Sequence, residues 1–433
     1  MAVGPVEGLV PFLDVPSKDP GMGFQMYAEV LASLIRSADP PQMTIGIFGG
    51  YGTGKTTLMD AIAENLKDDV RNGSIVTIGF NAWRHDHEEH LFLPLLNTVY
   101  QSVKNVPSLS KCVAAAFWGF VQGLSLSLSH VEVSVGTVYE SLRTVLAKND
   151  LSEALAGYVD VYDGLSQIPY AEKANVTRRM VIFIDDLDRC VPQRAFALLE
   201  AVKSFMDIRG FVFVLGLDPR AIRTYLSRKY DDAFCVTAEE YLQKMVQIPV
   251  HLPRFRRADV IQHLSESSDV AKSLLADTAD LQEFLPCNLR QVKRLLNMYT
   301  VIKATSDELA RTGSAEVGSL NSRILLGLLI IESQWPLAYY VLHSYRDRFH
   351  DVYRSCTGKD SSHGPRVLTE KRRLINELAS DGFGKIYSFI FEALGKDLTG
   401  ICRYLDLMGW PILEESDLSL DDERPTGGAA PPS

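Results

Sequence analysis

Two stretches of this sequence carry residue types and spacings suited to phosphate chemistry. The first is Gly49-Gly50-Tyr51-Gly52-Thr53-Gly54-Lys55-Thr56, which reads G-x-x-x-x-G-K-T. Glycines so spaced let backbone N–H groups converge on an anion, and the start of a following helix adds partial positive charge. On this reading Gly49, Gly50, Gly52, Thr53, Gly54, Lys55, Thr56 and Thr57 form a nucleotide-binding cradle. Lys55 reaches the β- and γ-phosphates, and the Thr56 hydroxyl helps to hold Mg2+. The plainer reading is a glycine-rich turn ahead of an ordinary helix, and the flanks argue against it. Residues 43–48 are apolar and β-rich, and residues 57–66 place Leu58, Ile62 and Leu66 on one helical face.

The second stretch runs through Met180-Val-Ile-Phe-Ile-Asp185-Asp186-Leu187-Asp188-Arg189. An apolar strand ending in adjacent carboxylates is the complement of a phosphate cradle. Asp185 is expected to bind Mg2+ through water, and Asp186 to polarise an attacking water. A further apolar run, 211–217, ends at Asp218. Ligands of open α/β sheets bind outside the carboxyl ends of the strands, so Asp218 is expected beside the γ-phosphate. Pro219 then suits the first position of a helix. Arg290 and Arg294, four apart at the start of another predicted helix, admit two readings: a solvated basic face, or a pair reaching the phosphates from a helical lid. His85, His87, Glu88 and His90 lack the spacing of a helical metal-binding pair and read as a polar loop rim.

These residues need a scaffold, and the chain of 433 residues has room for two or three domains. Its composition, 46% hydrophobic and 23% charged, is that of a soluble globular protein. A formal net charge of −10 argues against a general electrostatic grip on nucleic acid. The six cysteines are scattered without a C-x-x-C pair, which argues against a zinc site or a disulfide framework and suits a reducing cytoplasm. No signal peptide is expected at the N-terminus. Residues 1–20 read as an extended lead-in. A helix is predicted over 24–37, with Tyr27, Val30, Leu31, Leu34 and Ile35 at helical spacing, ending before Asp39-Pro40-Pro41. Strands are predicted at 43–48, 74–80, 179–185, 211–218 and 247–252, and helices at 91–104, 138–165, 193–206 and 239–246. From 253 onward the pattern is helical only: 256–268, 270–284, 288–304, 320–332, 336–349, 368–378, 383–394 and 398–408. The uncharged stretch 112–129 alternates Leu and Ser in its second half, and reads as a hairpin or partner-binding insertion in preference to a membrane span. Residues 414–433 are an acidic tail expected to be disordered.

The domain expectation is a lead-in and helix at 1–42, then a core at 43–252 with an insertion at about 106–175. A helical lid follows at 253–350, then a helical region at 351–413 and the tail. The fold class is α/β, a parallel sheet sandwiched by helices and followed by an all-α region.

The chain resembles the KAP family of P-loop NTPases at four places in order. They are the P-loop at 49–56, Phe80-Asn81-Ala82-Trp83, the signature Asp185-Asp186-Leu187-Asp188-Arg189, and Tyr241-Leu242-Gln243-Lys244 with Ile248-Pro249-Val250 and Leu289-Arg290-Gln291-Val292-Lys293-Arg294. The resemblance spans roughly 24–300. It implies an additional-strand (ASCE-type) P-loop core, ATP as nucleotide, Asp185 and Asp186 at Mg2+ and water, and Arg290 or Arg294 as lid arginines. Many members carry Trp where this chain has Tyr51, and many carry transmembrane helices between the two motifs, where this chain has only 112–129. Family members include bacterial phage-exclusion and defence ATPases and animal membrane scaffolds. The expected activity is therefore Mg2+-dependent ATP hydrolysis driving a switch or an assembly. Its output would pass through a protein partner or effector, or through a homo-oligomer. The alternative is an ATP-binding scaffold or membrane-associated interaction protein with little turnover.

Overall fold

The computed structural model describes residues 11–13, 23–88, 91–103, 179–203, 206, 210–223, 238–253, 255–311, 320–344, 349, 353–354, 376–394 and 401–409. The chain divides into two compact units, Val15–Arg254 and Met1–Asp14 with Phe255–Ser433. The segments 112–129 and 138–165 and the tail 414–433 lie outside the described residues, and those at 368–378 and 398–408 are described only in part.

In the first unit, helix α1 (Phe24–Ser37) precedes strand β1 (Met43–Phe48) and helix α2 (Lys55–Asn65). A short helix α3 (Lys67–Arg71), strand β2 (Ile75–Asn81) and helix α4 (Phe92–Val103) follow. Further along the chain come β3 (Arg179–Asp185), α5 (Pro192–Lys203), β4 (Phe211–Leu217), α6 (Ala238–Met245) and β5 (Ile248–His251). The five strands form one sheet in the order β2-β3-β4-β1-β5, with every pairing parallel. A parallel sheet must be covered on both faces, which is why β1 and β4 are wholly buried and, Thr44 apart, carry no polar side chain. Pro249 sits in β5, an edge strand, where its missing donor interrupts no interior ladder.

Side chains alternate across the sheet and separate the core into two layers. Val181 and Phe183 of β3 and Val212 and Val214 of β4 face Leu31 and Ile35 of α1 and Leu58 and Ile62 of α2. Ile182, Ile184, Phe213 and Leu215 face the other way, toward Leu95 and Val99 of α4 and Leu198 and Val202 of α5. Helix α1 differs from its expected face. It buries Phe24, Ala28, Leu31, Ala32 and Ile35. Tyr27, Val30 and Leu34 remain partly exposed at 42%, 55% and 39%. Small alanines at the contact let α1 lie close against α2, so the larger residues turn outward. The end of α1 is tied to the start of β3 by Arg179, whose Nη1 donates to the Ile35 carbonyl (2.6 Å) and Nη2 to that of Ala38 (2.9 Å).

The second unit is helical throughout its described residues. It comprises α7 (Arg257–Ser267), α8 (Asp269–Asp277), α9 (Leu289–Arg311), α10 (Ser322–Gln334), α11 (Pro336–Ser344), α12 (Asp381–Ala393) and α13 (Cys402–Met408). The helix expected over 270–284 is broken. The α8 helix stops at Asp277, and a 3-10 segment covers Ala279–Phe284. Thr278 marks the break, its hydroxyl donating back to the Leu274 carbonyl at 2.7 Å. Helix α9 runs on to Arg311, beyond its expected end at 304. Ile324 to Ile331 of α10 are all buried, as expected of a helix apolar on every side. The N-terminal segment joins this unit: Asn297 accepts the Phe12 N–H (2.7 Å) and donates to the Phe12 carbonyl (3.0 Å).

Candidate nucleotide site

The cradle is built where β1 ends. The Gly49 N–H donates to the Leu217 carbonyl of β4 at 3.1 Å, anchoring the loop to the sheet. Gly52 and Gly54 then adopt φ of 73° and 93°, a left-handed backbone that favours glycine. A Cβ at Gly49 would lie 2.3 Å from Thr53 Oγ1, and one at Gly54 2.6 Å from the Phe24 ring. The loop is therefore packed from behind by α1 and by its own Thr53, whose hydroxyl donates to the Gly50 carbonyl (2.8 Å). Helix α2 begins at Lys55 and carries Thr56 and Thr57 in its first turn, so its positive end meets the loop. Such a cradle fits nucleotide phosphates.

Lys55 is 8% exposed. Its Nζ donates to the carbonyls of Gly49 (3.1 Å) and Gly50 (3.2 Å) and pairs with Asp188 Oδ2 (3.1 Å). All three ammonium protons are thus committed within the protein. The other oxygen of Asp188 is buried with no hydrogen-bond partner.

Asp185 reaches across β4 to the loop. Its Oδ2 accepts the Thr56 hydroxyl at 2.5 Å, and its Oδ1 accepts the Asp186 N–H at 2.8 Å. The crossing depends on Gly216, because a Cβ there would stand 2.7 Å from Asp185 Oδ1. Burial pushes the Asp185 carboxyl above the usual carboxylate range, against the Thr56 hydrogen bond, which pulls it down. Asp60, on α2, is raised first by burial and then by the charge of Asp185. Thr56 and Asp185 would hold Mg2+. Among the described residues no cluster of three His, Cys, Asp or Glu could hold a metal ion.

Asp186 has a left-handed backbone, φ 57°, which aspartate tolerates better than most residues. Its Oδ2 accepts the Asn81 amide at 2.7 Å, and its Oδ1 pairs with Arg189 Nε at 2.9 Å. The Arg189 guanidinium carbon lies 5.6 Å from the centre of the Tyr51 ring and 5.2 Å from that of Trp83. Cys190 follows. Burial, then the charges of Asp86, Asp186 and Asp188, push its thiol up to about 12, which leaves it a neutral, unreactive group. At the end of β4, Asp218 Oδ2 pairs with Arg220 Nη2 (3.2 Å) while its Oδ1 accepts the Arg220 N–H (3.0 Å). A Cβ at Gly50 would meet Arg220 Nη2 at 2.5 Å, so Asp218 steers this arginine onto the loop.

Of the residues predicted from sequence, the loop glycines, Lys55, Thr56, Asp185, Asp186 and Asp218 come together at the carboxyl edge of the sheet in the first unit. Arg290 and Arg294 lie in the second unit, in the first turns of α9, where Asn288 Oδ1 accepts the N–H of Arg290 (3.1 Å) and of Gln291 (3.2 Å). His85 stacks on Phe80, centroids 5.2 Å apart, and burial followed by neighbouring His87 lowers its imidazole below the usual range. Sequence reasoning gave no site role to Asn81, Asp188, Arg189, Gly216 or Arg220. Asn81, Asp188 and Arg189 stand inside quoted motifs, so a signal existed. Gly216 and Arg220 stand in none.

A strand inserted between the P-loop strand and the acidic strand, with a glycine cradle and a Thr–Asp pair joined across it, defines a P-loop NTPase of the additional-strand type. The chain belongs to the KAP family: the KAP family P-loop domain matches residues 24–108 and 169–306. Among curated proteins none matches. Among solved structures, the Aeropyrum pernix ORC2 protein in its ADPNP-ADP complexes is similar at 12% identity and TM-score 0.39, over 90% of this chain and 98% of that one. The Aeropyrum pernix ORC1 protein in complex with DNA is similar at 14% identity and TM-score 0.32, over 86% of this chain and 82% of that one. Drosophila ORC bound to DNA is similar at 13% identity and TM-score 0.30, over 86% and 89%.

Proposed function

We propose that the protein binds ATP with Mg2+ and hydrolyses it to drive a conformational switch or an assembly. The observation that carries this reading is the Thr56–Asp185 contact at 2.5 Å across β4, with Asp186 beside it. When bound at Thr56 and Asp185, Mg2+ would neutralise phosphate charge. Lys55 holds Asp188 and two loop carbonyls. It must exchange Asp188 for phosphate oxygens, and that exchange links nucleotide binding to the loop after β3. Asp186 then takes a proton from the water that attacks the γ-phosphorus. The new O–P bond forms as the bond to the bridging β–γ oxygen breaks, releasing ADP and phosphate. Asp218 and Arg220 stand at the γ-phosphate side of this reading, and Arg290 or Arg294 would close on the phosphates from the helical unit.

A scaffold with little turnover is favoured by one observation: both oxygens of Asp186 are engaged, by Asn81 and Arg189. The two readings part at Asp186→Asn. A hydrolase so altered keeps ATP binding and loses turnover, by about 100-fold or more for a general base. Lys55→Ala weakens nucleotide binding itself. Phosphate release that is unchanged in Asp186→Asn, or nucleotide binding unchanged in Lys55→Ala, would overturn the ATPase reading. An output through a protein partner, a defence system included, rests on the family resemblance alone. Nucleotide-dependent co-purification of such a partner, lost in Lys55→Ala, is its test. Among the described residues no helix is long and apolar enough to cross a membrane.

A further inference from the structure

The acidic residues of Asp185-Asp186-Leu187-Asp188-Arg189 are all engaged by other side chains. Asp185 takes the Thr56 hydroxyl, and Asp188 takes Lys55. Asp186 is held twice, by the Asn81 amide at 2.7 Å and by Arg189 Nε at 2.9 Å. The carboxylate placed to accept a proton from water is thus occupied on one oxygen by an amide and on the other by a full positive charge. Arg189 in turn touches three segments. It meets the P-loop through the Tyr51 ring at 5.6 Å, the turn after β2 through the Trp83 ring at 5.2 Å, and the acidic strand through Asp186. Tyr51 stands between Gly50 and Gly52 of the cradle, so the guanidinium lies against the P-loop itself. A terminal phosphate offers a guanidinium more charge and better bidentate geometry than a carboxylate already shared with an amide.

We infer that Arg189 is a nucleotide-responsive arginine supplied by the site's own chain. It pairs with Asp186 in this structure and passes that ion pair to the terminal phosphate of ATP, leaving Asp186 to receive the proton of the attacking water. The inference rests on the ATPase reading above. The exchange makes and breaks no covalent bond. It places in cis the positive charge that other phosphoryl-transfer sites take from a second molecule. The competing role for Arg189 is a fixed clamp that packs Tyr51 and Trp83 together and never meets phosphate.

Binding of ADP and of a non-hydrolysable ATP analogue to the full-length protein, by calorimetry, separates the two, with single-turnover hydrolysis of ATP measured beside it. Arg189→Ala is expected to bind the analogue about 10-fold or more weakly relative to ADP, the worth of a charge-assisted hydrogen bond. It should hydrolyse ATP about 1,000-fold or more slowly, the low end for a lost catalytic arginine. Arg189→Lys should recover part of the analogue affinity, since charge returns without the planar fork. Equal weakening of ADP and analogue, or hydrolysis by Arg189→Ala at the wild-type rate, overturns the inference and leaves a clamp. If Arg189→Ala shows no cooperative melt, Arg189→Gln against Arg189→Lys carries the same comparison, because glutamine keeps a donor for Asp186 and lacks the charge. Wild-type protein that binds neither nucleotide would overturn the ATPase reading itself, an outcome visible before any variant is made.

Discussion

A partly buried carboxylate is useful to a metal and costly to a fold, and Asp185 is placed to show both consequences. Its folded-state proton affinity is raised, first by burial and against the Thr56 hydrogen bond. The folded protein therefore holds this proton more tightly than the unfolded chain. As pH rises from the ordinary carboxylate range through the raised value, the unfolded state loses the proton first, and stability falls. In metal-free, nucleotide-free protein the charged Asp185 should lower the melting temperature at neutral pH. Asp185→Asn is expected to melt higher than wild type there. The gap should close as pH falls below the ordinary carboxylate range, where both side chains are neutral. Thermal denaturation across that range in the presence of a chelator checks this. A gap that is absent at neutral pH, or that widens on acidification, would contradict the burial argument. The variant should at the same time lose Mg2+-dependent nucleotide binding, so a stability gain and a functional loss arise from one charge.

At the scale of elements, the cradle depends on a helix that contributes no polar group to it. Phe24 opens α1, is 2% exposed, and fills the space that a Cβ on Gly54 would need. Phe24→Ala removes a buried ring and should destabilise the first unit by about 3–5 kcal/mol. The P-loop loses its backing at the same time, so nucleotide affinity should fall even where the variant remains folded, as calorimetry below its melting temperature would show. Unchanged affinity in folded Phe24→Ala would mean that the loop holds its shape without α1. Little of this was readable beforehand. The strands were legible because β1, β3 and β4 are largely apolar runs that end at Gly49, Asp185 and Asp218, whereas their order and register came only from the structure. The Thr56–Asp185 pairing was legible because the two motifs have a fixed chemical relation. The outward turn of Tyr27, Val30 and Leu34 was not, because helical spacing does not say which of two apolar faces meets a neighbour. The Lys55–Asp188 and Arg179–Ala38 contacts were not either, because they join residues far apart in sequence through side-chain directions that no periodicity encodes. The break at Thr278 turns on one hydroxyl choosing its own backbone, a choice that the apolar pattern across 270–284 conceals.

At the scale of the whole molecule, the chain passes between its two units twice, near residue 14 and near residue 254. The N-terminal passage is fixed to the helical unit by Phe12 at Asn297 and by the Leu13 carbonyl, which accepts Lys293 Nζ at 3.2 Å. Those contacts fall on α9, the helix that begins with Arg290 and Arg294. A movement of α9 would therefore act on the N-terminal segment at Phe12 and Leu13. The lid reading and the solvated-face reading of the arginine pair make opposite predictions. If the pair closes on phosphate, Arg290→Ala with Arg294→Ala should cut turnover by about 10-fold or more while ADP affinity stays near wild type, because the charge acts on the terminal phosphate. If the pair is a solvated basic face, the double variant should change turnover by less than about 2-fold, in keeping with the small effect of exposed charges. Single-turnover hydrolysis with saturating ATP decides between them, and Asn297→Ala supplies the control for a change in the helix itself. That variant removes both Phe12 contacts and neither arginine, so a turnover loss that it shares with the double variant would be a consequence of loosening α9, whereas a loss confined to the double variant would belong to the guanidinium charges.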